Sequence, residues 1–177
     1  VGIGLESTIV DFTEEIPVVL RPGYISLEML QEILGEVRMD KGLLITDASV
    51  RPKAPGMKYR HYAPKADLSI VEGPEEEVVA LINRLTAQGE ASGLKVGIIA
   101  TDETRDYYTA GDVRSIGSRE EEETIAHHLY EVLRDFDSDE VNVIYSEAFY
   151  TPRMGQAIMN RLLKAAGHKI INTEEEK

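Results

Sequence analysis

The residue types best suited to chemistry fall in two places. One is residues 54–65, APGMKYRHYAPK, where Lys58, Arg60, His61 and Lys65 stand beside Met57, Tyr59 and Tyr62 with no carboxylate among them. Lysine and arginine meet phosphate oxygens, arginine through a planar two-pronged fork. Tyrosine stacks on a purine or hydrogen-bonds a phosphate, and flanking prolines limit the entropy lost when such a segment closes over a ligand. A plain spacer needs only reach and solubility, whereas a thioether and two phenols favour partial burial. The segment therefore reads as a ligand contact; the bland alternative is that the tyrosines pin it to a domain surface. His61 has the range of an acid or base, but in a cationic run charge complementarity is its simpler role.

The second place is the pair of stretches GIGLESTIVD (2–11) and VLRPG (19–23), which put Ser7 and Arg21 fourteen residues apart. Glycines ahead of a Ser-Thr pair let backbone amides and hydroxyls approach a ligand, though a turn leading into a strand accounts for the same residues. Arg21, directly before Pro22 and Gly23, is equally readable as an anion ligand or a surface ion-pair partner. Neither stretch is a P-loop or a dinucleotide fingerprint, because no GK[ST] and no third, helix-opening glycine follows.

Other candidates are weaker. His127 and His128 lie mid-helix and His168 near a helix end, without partners at metal-ligand spacing, so no protein-bound metal is expected. Gly155 precedes a helix whose N-terminus would suit an anion, but a turn explains it better. Glu120–Glu123 read as a solvated first turn. The absence of cysteine excludes disulfides and thiolate chemistry. No apolar run approaches the roughly 20 residues that span a bilayer, so no membrane partner is expected and the cytoplasm is the expected location.

The formal charge is -13, and its placement matters more than its size. Residues 1–66 hold 8 Lys/Arg against 9 Asp/Glu, while residues 67–177 hold 11 against 23. Residues 49–66 carry Arg51, Lys53, Lys58, Arg60 and Lys65 and no acid. Such a pattern draws a small anion such as a nucleotide to the first part and disfavours stable nucleic-acid binding by the second.

The elements that must position these residues divide the chain. Strand-like runs at 7–13 and 17–21 form a hairpin or neighbouring strands, and a helix over about 27–34 is capped by Ser26 and stopped by Gly35. Residues 41–66, with three prolines and little periodicity, read as a linker. From Leu68 onward strands alternate with helices: strands near 68–73, 95–103, 113–118 and 141–149, and helices opened by Pro74, by a Ser118/Glu121 capping box, and before Gln156. That alternation predicts a Rossmann-like α/β domain of four or five mostly parallel strands over about 67–171, with 172–177 a disordered tail.

Taken together, GLEST, VLRPG, PGMKYRHYAP and the closing MGQAIMNRLLKAAG resemble the Sua5 branch of the Sua5/YrdC family, the threonylcarbamoyl-AMP synthases, over essentially the whole chain. The resemblance implies that residues 1–40 are the C-terminal strands and helix of a YrdC-like α/β catalytic domain, that 41–66 are the interdomain linker, and that 67–171 are the C-terminal Sua5 domain. It implies a transfer from ATP, in which L-threonine and bicarbonate give a carbamate that attacks the α-phosphate and releases pyrophosphate. The product serves tRNA adenosine 37 modification by downstream machinery. By motif, Ser7 is expected at the threonyl group, Arg21 and Tyr59 at ATP, and Lys58, Arg60, His61 and Tyr62 nearby, with Mg2+ arriving on the nucleotide. The family's Lys/Arg pair does not precede Val1, so the chain is expected to be a C-terminal part, inactive by itself. A non-catalytic nucleotide-sensing or partner-binding module is the rival reading.

Overall fold

The computed structural model describes residues 7–40, 43, 63–151 and 154–176. Two sheets form. In the first, β1 (Ile9–Asp11) runs antiparallel to β2 (Val18–Arg21), and β2 runs parallel to β3 (Arg38–Met39). Helix α1 (Leu27–Leu34) connects β2 to β3, with the Ser26 hydroxyl accepting from the Met29 amide at 3.2 Å and Gly35 closing the helix at φ +79°. A cap of this kind is worth about 1 kcal/mol. The boundaries match the capping signals in the sequence, but no residue of α1 is buried. Met29, Ile33 and Leu34 face solvent, Ile33 at 83% exposure.

The second sheet contains β4 (Asp67–Glu72), β5 (Val96–Ala100), β6 (Asp112–Ser115), β7 (Val143–Glu147) and β8 (Ile170–Asn172), ordered β6-β5-β7-β4-β8 and parallel throughout. Parallel strands covered on both faces need apolar residues in succession rather than alternation. All five residues of β5 are buried accordingly. Helix α2 (Glu75–Ala91) covers one face, packing Val78, Leu81 and Ile82 with Val71 and Ile98. The other face receives α3 (Glu122–Ser138) and α4 (Gly155–Ala166), whose Ile125, Leu129, Phe136, Ile158 and Leu162 pack with Leu68, Ile70 and Ile144. The sheet is the Rossmann-like, mostly parallel α/β fold expected from the alternation of strand and helix. Among the described residues no helix is long and apolar enough to cross a membrane.

Local signals misplaced two boundaries. Ser118 does not cap α3, which begins at Glu122; its hydroxyl instead donates to Glu103 Oε1 at 2.6 Å and accepts from the Glu120 amide at 3.2 Å. The capping-box spacing was present, but a carboxylate distant in sequence captured the serine. The 172–177 segment expected to be disordered is ordered at its start. Asn172 ends β8, paired with Glu72, and Thr173, only 4% exposed, donates its amide to the Glu72 carbonyl at 2.9 Å. Three residues of edge strand are too few to announce themselves by period, and only β4 makes them a strand.

Candidate functional site

Ser7 and Arg21, separated by fourteen residues, meet. The register of β1 and β2 pairs Ile9 with Arg21 and Val10 with Val19, leaving Leu20 as the extra residue of a bulge. A bulge bends its strand and re-aims neighbouring side chains. Here the Arg21 guanidinium turns back across β1, donating from Nε to the Ser7 carbonyl at 3.0 Å and from Nη2 to the Ser7 hydroxyl at 2.9 Å. Ser7 is exposed and Arg21 half-buried, so the pair lies at the surface of the three-stranded sheet. The two bonds fix the plane of the guanidinium fork beside the Ser7 hydroxyl.

Thr8 stabilises the arrangement, a role its strand propensity did not reveal. Its hydroxyl donates to the Ile25 carbonyl at 2.7 Å and accepts from the Ile25 amide at 3.1 Å, tying β1 to the turn before α1. The Ser-Thr pair thus divides its work: Ser7 faces Arg21, and Thr8 fixes the loop. Lys58, Tyr59, Arg60, His61 and Tyr62 lie outside the described residues.

A second polar constellation occupies the carboxyl end of β7. Glu147, 2% exposed, accepts from Tyr108 Oη at 2.7 Å, from the Thr104 hydroxyl, and from Arg119 Nη2 at 2.6 Å. Arg119 Nη1 donates to the Ala148 carbonyl at 3.1 Å, and the guanidinium lies 5.2 Å from the centre of the Phe149 ring. Burial, with the Glu147 charge and hydrogen bond, pushes the Tyr108 phenol far above its ordinary range. The signal for this network in the sequence was a carboxylate closing an otherwise apolar strand, VIYSE; its partners, 28 to 43 residues away, carried none.

Gly155 serves packing rather than anion binding. A Cβ there would lie 2.9 Å from the Phe149 carbonyl oxygen, so glycine lets α4 start against the end of β7. The Glu122 carboxylate accepts from the Met154 amide, placing protein negative charge at that helix start. Among the described residues no group of three or more histidine or acidic side chains is arranged to hold a metal.

Residues 25–167 match the family model described as threonylcarbamoyl-AMP synthase, C-terminal domain. The chain belongs to the threonylcarbamoyl-AMP synthase family. It is 44% identical to the threonylcarbamoyl-AMP synthase of Bacillus subtilis (strain 168) over 170 residues, which is 96% of this chain and 47% of that protein. Against the threonylcarbamoyl-AMP synthase of Pyrococcus abyssi (strain GE5 / Orsay) the identity is 43% over 169 residues, covering 96% and 48%. The chain therefore spans about half the length of the curated relatives it matches. Among solved structures, P. abyssi Sua5 complexed with L-threonine superposes with a TM-score of 0.83 at 40% identity, over 97% of this chain and 48% of that one. The match to the threonylcarbamoyl-AMP synthases takes in the three-stranded sheet as well as the parallel domain.

Proposed function

We propose that this chain supplies one wall of an ATP site and the accessory domain of an L-threonylcarbamoyladenylate synthase. In the reaction, the threonine amine and bicarbonate condense to N-carboxythreonine and water. An oxygen of the new carboxylate then attacks the α-phosphorus of ATP, and the bond to the β-phosphate breaks to release pyrophosphate. The observation that carries this reading is the Ser7–Arg21 pair, a guanidinium held beside a hydroxyl where β1 and β2 meet. Arg21 offsets the charge of the triphosphate and Ser7 hydrogen-bonds the threonyl group. The work asked of such a site is positioning and charge stabilisation rather than proton transfer. Tyr59 reaches ATP from residues 41–66, with Lys58, Arg60, His61 and Tyr62 alongside. Mg2+ enters on the nucleotide, and the adenylate passes to tRNA-modifying machinery.

Because the relatives are about twice as long, the remaining pocket residues belong to length that these 177 residues do not include, and the chain by itself does not complete the reaction. The test is a pair of ATP titrations with pyrophosphate release measured in parallel, on this chain and on a longer chain carrying the additional N-terminal length of the relatives. The longer chain binds ATP and releases pyrophosphate only with threonine and bicarbonate present. Arg21→Ala weakens its ATP affinity by about 10- to 100-fold, as expected for a lost hydrogen bond to a charged group. Equal ATP binding by both chains, indifferent to Arg21, would put the site elsewhere.

A further inference from the structure

The two sheets touch through the turn that carries Arg21. Tyr24, between β2 and α1, is half-buried and packs against the core that β4, β7, α3 and α4 build in the parallel domain. Its neighbours Pro22, Gly23 and Ser26 are buried as well. Helix α1, which follows, buries no residue, so it offers the turn no core of its own. The aromatic side chain of the turn finds its apolar surface in the parallel domain instead. A large ring with few rotatable bonds is well suited to holding such a contact.

Two connections carry the position of Tyr24 to the site. Arg21 is three residues away, with Pro22 between them. The proline ring fixes one dihedral and confines the preceding residue to extended backbone, which is the conformation of Arg21 in β2. On its other side Tyr24 adjoins Ile25, whose carbonyl and amide both bond the Thr8 hydroxyl. Thr8 is next to Ser7, so both members of the Ser7–Arg21 pair are joined to one turn. A shift of that turn alters the separation of the Ser7 oxygens from the guanidinium, and hydrogen bonds of 2.9 and 3.0 Å weaken steeply as distance and angle leave their optimum.

We propose that Tyr24 is a positioning residue, through which the parallel domain sets the geometry of the Ser7–Arg21 pair. The consequence for ATP rests on the reading of that pair as part of the ATP site; the consequence for the guanidinium does not.

The test has two arms. In the 177-residue chain, the Nε–H cross-peak of Arg21, identified by its loss in Arg21→Lys, reports the bond to the Ser7 carbonyl. Tyr24→Ala is expected to move this peak towards that of a solvated arginine and to speed exchange of its proton by about 3- to 10-fold, while the amide peaks of β4, β5 and β7 keep their dispersion. Tyr24→Phe, which keeps the ring, leaves the peak in place. In the longer chain, Tyr24→Ala raises the Kd for ATP by about 3- to 10-fold and Tyr24→Phe by less than about twofold. Tyr24→Ala combined with Arg21→Ala binds ATP no more weakly than Arg21→Ala alone, because the tyrosine then has no guanidinium to position. If Tyr24→Ala loses dispersion, Tyr24→Leu takes its place in both arms. An unmoved Arg21 peak, or a double variant whose loss is the product of the two single losses, would overturn the proposal. If Arg21→Ala leaves ATP affinity unchanged, the ATP reading fails instead, and the Arg21 peak alone decides the role of Tyr24.

Discussion

Arg119→Ala removes the one cationic partner that Glu147, 2% exposed, has among the described residues. Deleting one member of a buried ion pair typically costs about 3–5 kcal/mol, because the survivor remains desolvated and unpaired. Two features reduce the figure here. Tyr108 and Thr104 still donate to Oε1, and the Arg119 side chain is 30% exposed, so part of the original attraction was screened. We expect a loss of about 2–3 kcal/mol, a large share of a typical domain's stability. Urea unfolding followed by far-ultraviolet circular dichroism measures it as a lower midpoint with an unchanged slope. Glu147→Gln should cost less, about 1–2 kcal/mol, because the amide oxygen still accepts while Arg119, partly solvated, retains a neutral partner. In a double-mutant cycle, Arg119→Ala combined with Glu147→Gln should cost less than the two single losses added together. A loss below about 0.5 kcal/mol for Arg119→Ala, or strict additivity, would show that the pair does not organise this end of the sheet.

Three further perturbations follow from particular contacts. Gly97→Ala places a Cβ 2.8 Å from the Phe136 ring between a buried strand and α3, and should cost about 1–3 kcal/mol by the same unfolding assay. Thr8→Ala breaks both hydrogen bonds to Ile25 and, in the longer chain, should raise the apparent Kd for ATP while leaving the unfolding midpoint of the parallel domain unchanged. The third concerns acid sensitivity. The hydrogen bond from Arg114 holds the Asp139 carboxyl below its ordinary value of 3.8, so its contribution to stability is complete above that value and fades as pH falls through the lower folded one. Arg114→Met, which keeps an apolar side chain near Phe136, should therefore flatten the fall in urea midpoint below about pH 4.

Much of the fold is legible in the sequence because its signals are local. Ser26 and Gly35 bracket α1 through backbone capping, which operates over one turn and needs no tertiary partner. The run of buried residues in VGIIA and the helical spacing of Ile125, Leu129, Val132 and Phe136 similarly announce a sheet covered on both faces. Ser7 and Arg21 were each singled out by residue type and motif. Their meeting was not, because it depends on the bulge at Leu20, a matter of register between two strands.

What the sequence determined by itself was therefore the identity and order of the longer elements, the concentration of cationic and aromatic residues in residues 49–66, and the family to which the motifs belong. Tertiary structure decided which hydroxyl caps a helix and which is captured by a distant carboxylate, as at Ser118. It made IIN a strand through β4, and drew Glu147 together with Arg119, Tyr108 and Thr104 from separate loops. It also placed β4 and β7 side by side, with the helices that follow them on opposite faces of the sheet. The physical reason is common to all of these. Capping and periodicity act within a turn or a strand, whereas a buried charge or an edge strand takes its form from whichever elements the packed core brings alongside it.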